Sequence, residues 1–455
     1  MKETDIQIIE ATASTQKFDY RSPMKFGGRI VRDVVLLDVT VKVATKGGKT
    51  AAGTGSMTMG NIWAWSAGKT EPNDALEAMI AFGKAVVSEA NSFKQFGHPL
   101  ELSYDFAKSY DGVAGKVVGK LSIKLDEPIP KLAQLVAASP FEAALFDAYG
   151  RLLNLNSYNT LSAEFCNRDL SYYLGDEFKG EYLDRYTLRE PKTRMPLYHL
   201  VGAVDPLTAA EVSVPLNDGL PEFFGEWITY NGLTHIKVKL NGDDLAWDVE
   251  RMIAIDKICV EFQEKRSCKH WFYSCDFNER CASVEYVLEF LSKIKSREPE
   301  AIERLQYIEQ PTNRNLRAFP ENKMHKAAAI KPVVIDESLV DLAALHDSRD
   351  MGYSGVALKA CKGQAEALLM GAAAKKYGMF LCVQDLTCVG ASFLHSATLS
   401  ARFPTVEAIE GNGRQYCPAA NKSWESKYPS MFIIKDGQVG CGVLNEAGLG
   451  FSSNK

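Results

Sequence analysis

In the second half of the chain, five short apolar segments each end in a carboxylate or a lysine, at near-regular spacing. They read His235-Ile-Lys237-Val-Lys239, Tyr273-Ser-Cys-Asp276-Phe-Asn278, Tyr307-Ile-Glu309-Gln-Pro311, Val333-Val-Ile-Asp336-Glu337 and Val356-Ala-Leu-Lys359, and successive gaps from Lys239 are 37, 33, 27 and 23 residues. A barrel of alternating parallel strands and helices spends about 30 residues on each strand-helix unit, and the C-terminal ends of its strands all face one site. Polar strand ends at this period therefore predict a single site holding three carboxylates and three lysines.

The rest of the second half keeps that rhythm. Short apolar runs alternate with helical stretches from about residue 197, which is the mark of parallel βαβ units. Strands are expected at 199–203, 234–240, 271–276, 305–309, 333–336, 355–359, 379–384 and 406–410, with helices at 244–264, 282–296, 364–377 and 391–402. The predicted fold class is α/β, an eight-stranded (β/α)8-type barrel over 191–425 with an α+β domain over 1–190. The tail, 426–455, carries Asp436-Gly437-Gln438 and is expected to form a hairpin that returns to the N-terminal domain.

Within the first domain, 29–45 is β-branched and partly alternating, hence strand-like, with a turn at Lys46-Gly47-Gly48-Lys49 and a second strand toward Gly55. Leu76, Met79, Ile80, Phe82, Val86 and Val87 fall at helical spacing over 72–93. Ser139, Pro140 and Glu142 form a helix-start signal and predict a helix over 139–153. Residues 154–195 are polar and tyrosine-rich with weak periodicity, and read as a connecting segment.

A net charge of -5 asks for neither nucleic acid nor an anionic membrane. No apolar run approaches the roughly 18 residues a membrane helix needs, and the first ten residues have no apolar leader core. The expectation is a soluble, cytoplasmic protein. Ten cysteines without a C-x-x-C pair read as free thiols; Cys268, Cys275 and Cys281 cluster near His270, but their spacing fits no common zinc pattern.

Asp276, Glu309 and Asp336 on successive strands would repel strongly in a poorly solvated site, and a hard divalent cation relieves that repulsion. An all-oxygen donor set favours Mg²⁺, with Mn²⁺ the alternative. Lys237 and Lys239 are two apart, so they share one face of their strand. Lys359, four strands on, lies across the barrel mouth. Two facing lysines can reach opposite sides of one carbon. Together these parts predict removal of a proton next to a substrate carboxylate, with Lys237 and the cation stabilising the enediolate. No Ser-His-Asp order, P-loop or dinucleotide glycine fingerprint competes with this reading.

These five segments together resemble the enolase superfamily, in the mandelate racemase/muconate lactonizing enzyme branch that includes dipeptide epimerases. The resemblance implies a capping domain completed by the C-terminal segment, and a small-molecule carboxylate substrate. It also implies a homo-oligomer. It implies Lys239 and Lys359 as acid/base pair, Lys237 as electrostatic stabiliser, and Asp276, Glu309 and Asp336 as magnesium ligands, with Asn278 and Glu337 supporting them. Glu410 and Asn412 fall where epimerases of this branch place paired aspartates, so the resemblance implies substrate contacts there but argues against a dipeptide. Asp385 stands where other members carry a catalytic histidine, and is either a substrate contact or a helix cap. The stretches Arg21 to Gly28, with Lys25, and Met57 to Trp65, with Met57 and Trp63, correspond to loops that cover the barrel mouth and select the substrate. The implied activity is epimerisation, racemisation or cycloisomerisation. The alternatives are a dehydratase or succinylbenzoate-synthase-type syn elimination at the same site, and a non-catalytic metal-binding barrel.

Overall fold

The computed structural model describes residues 1–26, 29–65, 70–123 and 125–452. Three antiparallel strands open the chain in the order β1 (Ile6–Phe26), β2 (Arg29–Thr45), β3 (Thr50–Thr58). On β2 the alternation sends Val39, Val41 and Val43 inward while Thr40 and Lys42 face solvent. The stretch from Arg21 to Phe26, expected as a loop, instead ends β1 opposite the start of β2. Gly27 and Gly28 lie outside the described residues.

Behind the sheet stand α1 (Asn61–Ala64), α2 (Pro72–Ala90), α3 (Pro99–Ala107), α4 (Tyr110–Val118) and α5 (Lys131–Leu153). The helix predicted over 139–153 begins eight residues earlier, at Lys131, with Pro140 inside it. Proline has no N–H to give to the carbonyl four residues back. That carbonyl belongs to Val136, and the Ser139 hydroxyl donates to it instead, at 2.8 Å. The apparent cap residue therefore repairs a proline inside a buried helix. α5 lies directly on β3, where a Cβ at Gly55 would stand 2.1 Å from the Pro140 carbonyl oxygen. Residues 154–195 run through short helical turns that bury Tyr158, Leu161, Phe178 and Leu183. They are tied to the barrel by the Leu188 N–H, which donates to the Arg402 carbonyl at 2.7 Å.

Eight parallel strands close a barrel: β4 (Met195–Val201), β5 (His235–Lys239), β6 (Phe272–Asp276), β7 (Leu305–Glu309), β8 (Val333–Ile335), β9 (Gly355–Leu358), β10 (Phe380–Val383) and β11 (Ile409–Glu410), with β11 paired to β4. The first strand begins and ends earlier than the predicted 199–203. The barrel helices include α6 (Phe224–Asn231), α7 (Leu245–Lys265), α8 (Val284–Arg297), α9 (Leu342–Asp350), α10 (Gln364–Lys376) and α11 (Ala391–Arg402). Tyr198, Tyr307, Val334, Ala357, Cys382 and Ala408 fill the interior beneath the polar strand ends.

The tail makes its hairpin at Asp436 and Gly437, both with positive φ, but β12 (Gln438–Val439) pairs with β4 of the barrel rather than with the first domain. Contact with the first domain comes later, where the Leu449 N–H donates to Asp147 at 3.0 Å and the Ser157 N–H to the Gly448 carbonyl at 2.7 Å. All ten cysteines are free. No described helix is long and apolar enough to cross a membrane.

Candidate active site

Strand β5 alternates as the sequence predicts. Val238 is fully buried against the helices, while Lys237 and Lys239 point inside the barrel mouth. The Lys237 ammonium is surrounded by oxygen: Glu309 at 2.8 Å, Glu410 at 2.9 Å, Gln384 at 3.0 Å and Asp276 at 3.1 Å. Burial alone would lower its pKa, but Glu309, Glu410 and Asp276 outweigh burial and hold it well above the ordinary lysine value. Lys237 is therefore a fixed buried cation. Lys239 pairs with Asp276 and donates to Asn278 Oδ1 at 2.9 Å.

Across the mouth, Lys359 follows β9 and pairs with Asp336 at 2.7 Å. Burial again pulls its pKa down, and Asp336 and Glu309 more than reverse that. Lys362, which the sequence reading missed, reaches the other Asp336 oxygen at 3.2 Å. The short 3-10 turn over Ala360–Lys362 brings it back toward the site. Its signal was a second lysine three residues after the first, a spacing that means nothing until the turn is known. Gln310 was also missed as a working residue. Its side-chain carbonyl accepts the backbone N–H groups of Asp336, at 2.9 Å, and Ser338, at 3.2 Å, so β7 positions the end of β8. Gln310 holds φ at 28°, a costly conformation for a residue with a side chain.

Asp276 and Glu309 are directly paired across β6 and β7, but Glu309 is paired with Val334, so Asp336 stands two residues further along its strand. That stagger comes with the tilt of barrel strands. Burial, then Asp276, and then Asp336 push the Glu309 carboxyl well above its ordinary value, against the pull of Lys237. Burial also works against ionised Asp276 and Asp336, yet Lys239 and Lys237 hold Asp276 below its usual value, and Lys359 and Lys362 do the same for Asp336. Among the described residues no group of three or more Asp, Glu, His or Cys side chains is arranged to hold a metal ion. In this structure, lysine ammonium groups balance the carboxylates. The donor chemistry nonetheless suits a hard cation. Glu309 Oε2 meets Lys237 at 2.8 Å and Asp336 Oδ1 meets Lys362 at 3.2 Å, but neither accepts a hydrogen bond from the described residues, so two buried carboxyl oxygens rest on ion pairs alone. Cys268, Cys275 and Cys281 likewise form no such group.

Above the lysines is a cavity of about 80 Å³. Its floor includes Lys237, Lys239, Lys359, Glu410 and Asn412, and its roof Met24, Phe26, Met59 and Trp63 from the first domain. The proposed substrate contacts divide into groups. Trp63, Asp385, Glu410 and Asn412 line the cavity. Asp385, however, accepts the backbone N–H groups of Leu386, Cys388 and Asn412, so it fastens two loops together. Burial and neighbouring Glu410 push its carboxyl up to about 6. Glu410 serves Lys237, the Asp385 N–H and the Asn412 amide. Asn412 Oδ1 accepts no hydrogen bond from the described residues. Lys25 lies to one side, near Asn241 at 3.4 Å. Met57 does not line the cavity; it is fully buried with its sulfur 3.7 Å from that of Cys388. Methionine at that place packs the interface between the two domains. Glu337 accepts from the Trp63 indole N–H at 2.9 Å, and its carboxyl is pushed up to about 7 by burial and then by Asp336.

No family model matches the sequence, and no curated protein is detectably similar to it. Solved structures do match in shape. A muconate lactonizing enzyme from Pseudomonas fluorescens, complexed with muconolactone, superposes with a TM-score of 0.59 at 16% identity, over 98% of this chain and 96% of that one. A dipeptide epimerase from Enterococcus faecalis V583, complexed with Mg and L-Leu-L-Tyr, gives 0.62 at 13% identity, over 98% and 99%. An enolase from Pseudomonas fluorescens Pf0-1, with bound magnesium, potassium and tartrate, gives 0.63 at 16% identity, over 98% and 90%. At these identities the likeness speaks for the architecture: from its N-terminal sheet to its C-terminal return, the chain has the capped-barrel fold of the muconate lactonizing enzymes and dipeptide epimerases.

Proposed function

We propose that this protein removes the proton next to a carboxylate in a small organic acid and returns it in a new position, giving epimerisation, racemisation or cycloisomerisation. The observation that carries the reading is the placement of Lys239 and Lys359. They come from β5 and the end of β9, are separated by three intervening strands, and line the same small cavity. One takes the proton from one side of the carbon; the other supplies a proton from the opposite side, or stays idle where the product forms by ring closure. Lys237 is the buried positive charge beneath them. It is held in place by Glu309, Glu410, Gln384 and Asp276, so it is already oriented when negative charge develops on the substrate. The apolar roof keeps water out, which strengthens each of these interactions.

Magnesium belongs to the proposal, held by Asp276, Glu309 and Asp336. When bound, it supplies a divalent charge beside the substrate carboxylate. Glu309 Oε2 and Asp336 Oδ1 support this assignment. The fold-mates crystallised with magnesium support it as well.

Candidate acids incubated in D₂O with Mg²⁺ and followed by NMR test the reading. Deuterium entering the α-carbon supports it; loss of water points to a dehydratase. Absence of exchange across chemically varied acids that do bind the protein refutes it. Lys239→Ala and Lys359→Ala are expected to abolish exchange while Mg²⁺ still binds, and Glu309→Gln to weaken Mg²⁺ binding by calorimetry. Equal loss of metal in all three variants contradicts the assigned roles.

A further inference from the structure

The three lysines of the site differ in what completes their surroundings. Lys237 is enclosed by oxygens from four strand ends and meets no aromatic ring among the described residues. Lys359 has one carboxylate, Asp336, and its ammonium lies 4.2 Å from the centroid of the Trp63 ring. Lys239 has Asp276 and Asn278, and its ammonium lies 4.9 Å from the centroid of the Phe26 ring. Each ring comes from a different segment of the first domain, Phe26 from the end of β1 and Trp63 from α1. Each covers one lysine of the pair that faces the cavity.

Trp63 is itself fixed. It is 3% exposed, its indole N–H donates to Glu337 at 2.9 Å, and its backbone carbonyl accepts from Arg314 at 3.0 Å. Lys362 approaches the same ring, 5.6 Å from its centroid.

We propose that Phe26 and Trp63 are positioning residues for Lys239 and Lys359, each offering an aromatic face, beside the lysine's one carboxylate, where an ammonium would otherwise find water or a second carboxylate. This rests on reading the two lysines as the proton-carrying pair. The physical advantage lies in direction. A carboxylate holds an ammonium through directed hydrogen bonds that must be broken before the nitrogen can turn. A ring face attracts the charge through its quadrupole, without a directed bond, at about 0.5–2 kcal/mol. A ring on one side keeps the nitrogen dry at the cavity wall with fewer directed bonds to break than Lys237 has: Asp336 for Lys359, and Asp276 with Asn278 for Lys239. Of the pair, the lysine that takes the proton acts as the neutral amine and the one that gives a proton as the ammonium. Lys237, which stabilises charge and transfers no proton in this scheme, has the rigid oxygen surroundings instead. The difference in surroundings thus follows the difference in task.

The test uses protein carrying ¹³C-labelled lysine and reads the Cε–Hε correlations, with Lys359→Gln and Lys239→Gln as assignments. Protons over an aromatic face are shielded, so Lys359 and Lys239 are expected upfield of the exposed lysines and broad. Trp63→Leu keeps apolar cover without a ring, and should move the Lys359 signal downfield and sharpen it, with a smaller shift of Lys362 and none of Lys239. Trp63→Phe should keep it close to its original place. Phe26→Leu should do the same to Lys239 alone. With a substrate found by α-exchange, Trp63→Leu should lower kcat about two- to thirtyfold, the equivalent of losing such a contact, with KM little changed and Trp63→Phe largely restoring it. Lysine signals unshifted in the unmodified protein overturn the proposal. It also fails if Trp63→Leu leaves Lys359 unmoved, or if either variant shifts both lysines together. Failure to exchange any α-proton would remove the proposed function but leave the NMR result standing.

Discussion

Glu142 offers the most quantitative test of how the first domain seats the lysine-bearing end of the barrel. It sits on α5, 3% exposed, and its carboxylate accepts the Ala365 backbone N–H at 3.0 Å, in the first turn of α10. That helix begins just after Lys359 and Lys362, so one buried side chain joins the first domain to the loop carrying both lysines. Gly363 makes room for it: a Cβ there would stand 2.7 Å from Glu142 Oε2, and the backbone already turns through φ +103°. Burial pushes the Glu142 carboxyl up to about 7, against the opposing effects of the Ala365 N–H, Tyr110 and Lys131. A group whose folded pKa exceeds its unfolded value stabilises the fold while protonated. Its contribution is complete below the ordinary 4.5 and is lost as pH rises through about 7. The difference corresponds to roughly 3 kcal/mol. Glu142→Gln keeps an oxygen for Ala365 and cannot ionise. Urea denaturation at 25 °C from pH 5 to 8.5 should therefore give nearly coincident stabilities at the acid end. At the alkaline end the variant should be more stable, by up to about 3 kcal/mol. A difference that stays constant with pH, or a variant that is weaker at pH 8.5, refutes the argument. Glu366, raised to about 8 by burial and by Glu142, should add a second decline in the same direction.

Two further perturbations separate packing from chemistry. Gly55→Ala forces a methyl to within 2.1 Å of the Pro140 carbonyl and 2.8 Å of the Ala144 nitrogen; α5 must shift, at a cost of about 1–3 kcal/mol in denaturant midpoint stability, and an unchanged midpoint would show that α5 does not ride on β3. Asp385→Ala removes the acceptor of three backbone N–H groups and should cost about 3 kcal/mol or more; a variant of normal stability but lowered substrate affinity would restore the direct-contact role for Asp385.

The barrel was legible because its code is local. Alternation on β5 places Lys237 and Lys239 on one face whatever surrounds them, and the rhythm of apolar runs locates the other strand ends to within a few residues. The helix containing Pro140 misled for the same reason. Ser, Pro and Glu in that order form a sound local start signal, but burial along nearly the whole helix overrides it and the Ser139 hydroxyl makes good the missing N–H. Asp385 and Glu410 show a different limit. A carboxylate at a strand end can face a substrate, a lysine or a loop backbone with the same sequence around it. Only the packed structure shows that Glu410 serves Lys237 and Asp385 serves three amides.

The first domain carries the least legible part of the site, and this follows from how its contacts arise. Trp63 and Lys359 are nearly three hundred residues apart, and their meeting depends on several docked surfaces at once: α5 on β3, Glu142 on α10, and Arg314 on the Trp63 carbonyl. No periodicity encodes such a meeting, because each contact joins a group on one element to the backbone of another far away in sequence. The barrel alone would present Lys239 and Lys359 to water at an open mouth. What turns two strand-end lysines into a dry pair is the cover supplied by Phe26 and Trp63 together with the rest of the roof, so under the proposed function the residues that hold those two rings are where a preference among acids is to be tested.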